Sequence, residues 1–338
     1  MKKFPRILAC VLCLSSCFGR NTPENLNAPG GPLDSAPSGG RPVDDNTGAA
    51  IDSVSVTDDE GNTISFDKPF ARIISFYSAH TENLFALGAG ASLIGGHSTC
   101  NYPAPAKELP VFEYTGDPEY VIAASPDLVL IRPFIRRRNP AYISALENAG
   151  IPVISLYPES LKDFDDYIRR LALLAGADAE QKLNEFHTRL QNIEAKSAEI
   201  KNKLNVFFET TERETRTASP ESLPILAIEI SGGVNIARDA KPVNQLSSIA
   251  PYGAEKLLSQ AENIDAYIIQ TGAMNPSNSI DALRKRPGFS TIKAIRGGKV
   301  LFIDEKIISS PVFRYLHGVK TIAHFLYPDE FDEPEALE

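Results

Sequence analysis

The chain has 338 residues, a formal net charge of −9 and four cysteines, Cys10, Cys13, Cys17 and Cys100. The acidic balance argues against a nucleic-acid partner, which requires a basic face. Cys10 and Cys13 fall in a segment expected to be removed and Cys17 is expected to carry lipid, so Cys100 remains the sole free thiol and no disulfide framework can form in a mature monomer.

Lys2, Lys3 and Arg6 precede a short apolar run closed by Leu14, Ser15, Ser16 and Cys17, the layout of a bacterial lipoprotein signal peptide. Ile7 to Ser16 is shorter than the about 20 apolar residues that span a bilayer core, so 1–16 reads as a cleaved signal and Cys17 as the lipid-modified first residue. Loss of the signal takes the charge from −9 to −12. From 17 to 50 the chain is rich in Pro and Gly and almost free of apolar residues, so it cannot build a core and reads as a disordered linker. A coil of that length reaches roughly 30 Å. The expected location is the cell envelope, lipid-anchored and facing the periplasm, or the outer face of the membrane in a host with only one.

The remaining about 285 residues suffice for two compact lobes. Val54 and Val56, a turn over Asp58 to Asn62, then Ile64 and Phe66 predict a hairpin. Strand-like runs follow at Arg72–Phe76, Ser92–Gly95, Asp127–Ile131 and Val153–Leu156, alternating with helical stretches at Glu82–Leu87 and Pro140–Ala149. That rhythm is the βα alternation of a parallel sheet covered by helices.

Leu183, Phe186, Leu190, Ile193, Ile200 and Leu204 then recur at helical spacing, with Ser197 the one polar member, and predict a long connecting helix within 177–204. No heptad partner supports a coiled coil, so it reads as a spine packed along both lobes. Leu204–Phe208, a helix from about Glu221 to Ile230, and strands at Ala266–Gln270 and Lys299–Ile303 restart the alternation. The predicted fold is α/β: an N-terminal lobe over 51–176 and a C-terminal lobe over 205–330, each a small, mostly parallel sheet flanked by helices. The spine joins them, and 331–338 forms an acidic tail.

Several segments resemble, in order, the solute-binding components of ABC importers for ferric siderophores, haem and cobalamin. In the first lobe these are Asp59-Glu60-Gly61, Ala71-Arg72-Ile73-Ile74-Ser75, Thr81-Glu82-Asn83-Leu84, Leu87-Gly88-Ala89, Ile94-Gly95-Gly96, Cys100-Asn101-Tyr102-Pro103, and Glu119 followed by Pro126-Asp127-Leu128-Val129. In the second they are Gly232-Gly233-Val234-Asn235-Ile236-Ala237, Glu255-Lys256-Leu257-Leu258, Lys293-Ala294-Ile295 and Tyr327-Pro328. The resemblance covers nearly all of Ser53 to Pro328. It implies a monomer without cofactor or catalysis that captures an iron or cobalt chelate in a cleft between the lobes and delivers it to a permease and its ATPase. It also implies that Glu119 and Glu255 dock onto permease arginines. The second match departs in spacing, since Glu119 lies eight residues before Asp127 but Glu255 lies ten before Asp265. A helical spine would limit the lobes to small rocking, so much of the pocket is expected to be pre-formed.

Open α/β sheets bind ligands at the carboxyl ends of their strands. The expected contacts are Tyr77, His80, His97, Ser98, Tyr102, Arg132, Phe134 and Tyr157 from the first lobe. From the second come Arg213 or Arg216, Gln270, Met274 and Arg314. Tyr and His ligate iron or cobalt, and Arg pairs with carboxylates; His80 is the candidate direct ligand to a chelated metal, with no direct metal site otherwise. Arg136, Arg137 and Arg138 read as a solvated helix face or a rim for an anionic chelate, and His187 and His324 as structural. The alternatives are an oxyanion carrier for molybdate or tungstate and, more remotely, a secreted metal-dependent enzyme, although no His-Glu-x-x-His pair is present. With no Trp, a corrinoid ring would have to stack on Tyr or Phe.

Overall fold

Alternating apolar residues and a polar turn build the first element. Strands β1 (Val54–Thr57) and β2 (Thr63–Phe66) pair antiparallel, with Val54 opposite Phe66. Asp58 Oδ1 closes the turn by accepting from the amides of Glu60 and Asn62 at 3.0 and 2.8 Å, and Gly61 supplies a φ of 85°. Asp58 Oδ2 accepts from the Ser155 amide at 3.1 Å, tying the hairpin to the first sheet. This computed structural model describes residues 53–243, 247–272, 274–275 and 279–337. The expected signal 1–16, Cys17 and the linker to residue 50 lie outside the described residues.

The first lobe is a four-stranded parallel sheet in the order β4-β3-β5-β6, from β3 (Ile73–Ser75), β4 (Leu93–Gly96), β5 (Leu128–Ile131) and β6 (Val153–Ser155). Every residue of β3, β5 and β6 is buried. Such strands read as continuous apolar runs because helices cover both faces. The covering helices are α1 (Ser78–Ala86), α2 (Glu119–Ala123), α3 (Pro133–Arg138), α4 (Pro140–Asn148) and α5 (Phe164–Ala175). Gly176, at φ 68°, ends α5 in a left-handed cap.

The connecting helix, α6, runs over Glu180–Ala198 and buries Leu183, Phe186, Leu190, Ile193 and Ser197. It is shorter than the apolar stripe suggested, since Ile200 and Leu204 lie beyond its end. Near that end Ser197 Oγ lies within donating distance of both Glu194 O and Ile230 O, at 2.9 and 2.7 Å. The polar break in the stripe thereby fastens the helix end to the second lobe.

That lobe comprises β7 (Asn205–Glu209), β8 (Arg216–Ala218), α7 (Leu223–Ile230), β9 (Val234–Asn235), β10 (Ile249–Pro251), α8 (Ala254–Ser259), β11 (Ala266–Thr271), α9 (Ile280–Arg284), α10 (Lys293–Arg296), β12 (Val300–Asp304), α11 (Glu305–Ile308) and α12 (Tyr315–Leu326). Its sheet is parallel in the order β12-β11-β7-β9, and β8 and β10 form a separate antiparallel pair. One core cluster joins Ile73, Leu128 and Ile154 of the first sheet to Phe208, Ile268 and Ile303 of the second, through Leu183, Phe186, Leu190 and Ile193 of α6 and Val319 and Ile322 of α12. The spine is therefore α6 packed with α12 rather than α6 alone. Among the described residues no helix is long and apolar enough to cross a membrane.

A candidate ligand cleft between the lobes

Three strands of the first sheet deliver side chains to one cluster. Tyr77 follows β3 and caps α1, Arg132 follows β5 and caps α3, and Tyr157 lies beyond β6. The Arg132 guanidinium sits 5.0 Å from the Tyr77 ring centre and 5.1 Å from that of Phe134, while Tyr77 and Tyr157 approach to 6.0 Å. Among the described residues no carboxylate lies within ion-pair distance of Arg132. Burial pushes both phenols above their ordinary pKa, and Ser310 of the second lobe, acting on Tyr77, pulls the other way. Phe134 is exposed, and Arg132, Tyr77 and Tyr157 are half-buried.

The two histidines expected beside this cluster are committed elsewhere. His80 is fully buried, with Nδ1 2.8 Å from the Tyr167 hydroxyl and Nε2 3.0 Å from Ile131 O. A carbonyl only accepts, so Nε2 carries the proton and Nδ1 accepts from Tyr167. Burial lowers its pKa to about 4. His80 is thus a neutral core residue and drops out as a ligand to a chelated metal. At His97, Nδ1 accepts from the Thr99 amide at 3.2 Å and Nε2 lies 2.9 Å from Glu113 Oε2, with the ring stacked on Tyr114, so neither nitrogen is open.

Arg314 does reach the junction of the lobes, but already paired. Its Nε and Nη2 donate to Glu82 Oε1 and Oε2 of α1 at 2.8 and 2.6 Å, and its guanidinium carbon lies 3.7 Å from the Tyr102 ring centre. Beside this pair Lys306 Nζ donates to Asn101 Oδ1 at 2.8 Å, again across the lobes. Burial raises the Glu82 pKa, while Arg314 and Lys306 oppose the shift. The space bounded by Ser78, Glu82, Asn101, Tyr102, Lys306 and Arg314 has a cavity volume of about 10 Å³, room for about one water. Sites for drug-sized ligands run to about 300–1,000 Å³. The expectation of a pre-formed chelate pocket is therefore not met here, because the ion pair and the Lys306–Asn101 bond draw the walls together.

In the second lobe Gln270 is buried, accepting from Ser309 Oγ at 2.6 Å and donating to Glu305 Oε2 at 3.4 Å, so its amide is satisfied within the lobe. Met274 is exposed, and Thr211 Oγ1 donates to its carbonyl at 3.1 Å. Arg216 pairs with Glu214, and Arg213 is 84 % exposed. Arg136 bonds Glu60, Glu147 and the Val153 carbonyl, which removes it from the proposed rim. His187 pairs with Asp165 and His324 Nδ1 donates to Phe331 O, both structural.

Glu119 and Glu255 are exposed in the first turns of α2 and α8. Asp127 and Asp265, which follow them at unequal spacing, do the same work. Asp127 accepts from the Ala71 and Arg72 amides at 2.9 and 2.8 Å ahead of β3, and Asp265 from the Asn205 amide at 2.9 Å in β7. A 3₁₀ turn over Ala261–Asn263 takes up the extra length in the second lobe.

Sequence reasoning missed two clusters. One is the Glu82–Arg314 pair, whose members stand 232 residues apart, Glu82 within a helix motif and Arg314 alone. The other is Glu209 at the carboxyl end of β7, fully buried, which accepts from Arg286, Tyr267 and Asn275. A carboxylate closing an apolar strand was the available signal for it.

Two parallel-sheet lobes on a helical spine, with polar side chains meeting where the strands of both sheets end, define a two-lobed solute-binding protein. The family of periplasmic binding proteins matches residues 73–307, and the chain belongs to it. A Bacillus subtilis protein described as an uncharacterized ABC transporter substrate-binding lipoprotein is 26% identical over 290 residues, covering 83% of this chain and 87% of that one. Among solved structures, a Staphylococcus epidermidis periplasmic solute-binding protein, described as a possible iron-binding protein, superposes with a TM-score of 0.67 at 23% identity. It covers 77% of this chain and 100% of its own. The periplasmic heme-binding protein RhuT from Roseiflexus, in apo form, gives 0.63 at 22% identity, covering 76% and 98%. The chain is a substrate-binding component of an ABC transporter and not an enzyme.

Proposed function

We propose that this protein captures an anionic metal chelate, a ferric siderophore, haem or a corrinoid bearing acidic groups, in the cleft between its lobes and hands it to an ABC permease. The observation that carries this reading is Arg132, a guanidinium held against two aromatic rings at the carboxyl end of β5 with no carboxylate partner among the described residues. Tyr77, Tyr157 and Phe134 around it suit the flat, partly apolar face of such a ligand, and a charge-assisted bond to a carboxylate or catecholate supplies orientation. Tyr102 and Arg314 stack on each other across the junction of the lobes.

In the same reading Cys17 carries the lipid anchor, and exposed Glu119 and Glu255, one per lobe, meet basic residues of the permease. Charges so placed raise on-rate and fix orientation more than they add affinity. A second reading, an oxyanion such as molybdate, is favoured by the Ser, Asn, Lys and Arg lining, and opposed by the Glu82 carboxylate in the same wall and by a volume of about 10 Å³.

Absorbance and calorimetric titration of the soluble body from about residue 50 with haemin, ferric citrate, cyanocobalamin and molybdate tests the reading. Saturable binding of a bulky chelate supports it; binding of molybdate alone transfers the protein to the small-anion class. For the anchor, incorporation of labelled fatty acid into the full chain, lost in Cys17→Ser, is the expected result, and equal labelling of the variant removes the assignment.

A further inference from the structure

Segment 309–314 lies between α11 and α12 and is anchored to the shared core immediately beside the cleft. Phe313 packs on Phe164 and Phe186 at 5.4 and 5.7 Å, its amide donates to Asn83 Oδ1 at 3.3 Å, and Asn83 Nδ2 donates to Pro311 O at 2.9 Å. The neighbouring residues on the two segments, Glu82 before Asn83 and Arg314 after Phe313, meet as well. Arg314 is thus held against α1, with its Nε and Nη2 on the Glu82 carboxylate.

From this geometry we infer that Glu82 is an internal occupant of the Arg314 site, its carboxylate standing where an acidic group of the ligand binds, so that Glu82 sets the cleft's selectivity for ligands able to displace it. The inference rests on the chelate-capture reading. Three features support it. The pair is bidentate, the geometry in which a guanidinium takes a ligand carboxylate. Both partners line the small cavity rather than lying in the continuous core. Tyr102 covers one face of the guanidinium, and Glu82 takes its Nε–Nη2 edge.

The selectivity follows from the exchange. A neutral ligand that parts the pair leaves two buried charges without partners, which is costly. An anionic ligand replaces one carboxylate by another, and Lys306, whose ammonium already acts on Glu82, offers the displaced group a second cation. A site that is free about one-tenth of the time binds about tenfold more weakly than an open one.

The test compares the wild-type protein with Glu82→Gln, which keeps the side-chain shape and removes the charge. Titrations use haemin, ferric citrate and cyanocobalamin. Glu82→Gln is expected to tighten haemin and ferric citrate by about tenfold while leaving cyanocobalamin within twofold. A purely structural pair predicts equal or weaker binding of all three, and that outcome overturns the inference. If no probe binds either protein, the chelate reading fails, and a ligand-free measurement decides the inference by itself. The chain has no tryptophan, so Tyr102→Trp installs a single emitter against Arg314. Adding Glu82→Gln is then expected to increase quenching of that indole by acrylamide at least twofold; unchanged quenching overturns the inference.

Discussion

At the carboxyl end of the first sheet, Arg132 rests between Tyr77 and Phe134 with no carboxylate in reach among the described residues. At the same end of the second sheet, Glu209 is fully buried and saturated by Arg286, Tyr267 and Asn275. The two lobes share a sheet order of four parallel strands and the same aspartate device at the strand starts, yet they treat charge differently. The first lobe presents a cation outward, where a ligand can complete it. The second uses its carboxylate to hold its own loops, since Asn275 and Arg286 bring the segments after β11 and α9 onto the end of β7. On the proposed reading the unpaired cation that meets the ligand lies in lobe 1, while lobe 2 brings Arg314 already paired with Glu82 and keeps Glu209 wholly internal.

The sharpest way to break this contrast is Arg286→Met. It leaves Glu209 buried with only two neutral partners, and removing one side of a buried pair costs about 3–5 kcal/mol. Chemical denaturation is expected to show a loss of that size, and a loss under about 1 kcal/mol would mean that the Glu209 cluster is no keystone of lobe 2.

The next largest effect belongs to lobe 1. His80 is neutral in the fold with a pKa of about 4 against 6.5 unfolded, so the unfolded chain binds the extra proton between those values. Stability from this group is fully present above pH 6.5 and is lost as pH falls towards about 4, up to about 3 kcal/mol. His317 in lobe 2 adds to the same slope, since burial and the neighbouring Arg314 and Lys320 lower its pKa. Denaturation midpoints across pH 4–7 are expected to fall with acid, with a shallower fall in His80→Gln; identical slopes would contradict the assignment.

Asp127→Ala and Asp265→Ala compare the shared device directly. Each strips acceptors from backbone amides at the start of a central strand, at about 1–3 kcal/mol. Equal costs within about twofold are expected from thermal or denaturant unfolding. A cost confined to Asp127 would mean that the ten-residue spacing in lobe 2 marks a different structure.

Glu119→Arg and Glu255→Arg are the mildest changes to the fold. As exposed first-turn residues they are worth about 0.3–1 kcal/mol through the helix dipole. Both variants are expected to bind ligand normally and to impair uptake in cells; unimpaired uptake would remove the docking assignment.

Much of the architecture was legible because βα alternation, buried apolar strands and the α6 stripe are periodic signals. Ser197 looked like a gap in that stripe, and only the fold reveals the Ile230 carbonyl that makes it a clasp. The site was less legible, because loops after strands say which residues reach the cleft but not which are already partnered. His80 and Arg132 occupy comparable sequence contexts beyond β3 and β5. One proves to be a satisfied core imidazole, the other an open guanidinium, and the difference lies in Tyr167 and Ile131, distant in sequence. Arg314 was visible as an arginine, whereas its pairing with Glu82, 232 residues away, was not.

The contrast between the lobes is tested most directly by titrating the wild-type protein, Arg132→Gln and Arg213→Gln with haemin and ferric citrate. A desolvated charge-assisted contact is worth about 1.5–3 kcal/mol, so Arg132→Gln is expected to weaken binding by about tenfold or more without lowering stability appreciably. Arg213→Gln, on the exposed surface of lobe 2, is expected to bind as the wild type does. Equal affinities for all three proteins, or a loss confined to Arg213→Gln, would contradict the assignment of Arg132 to the ligand site.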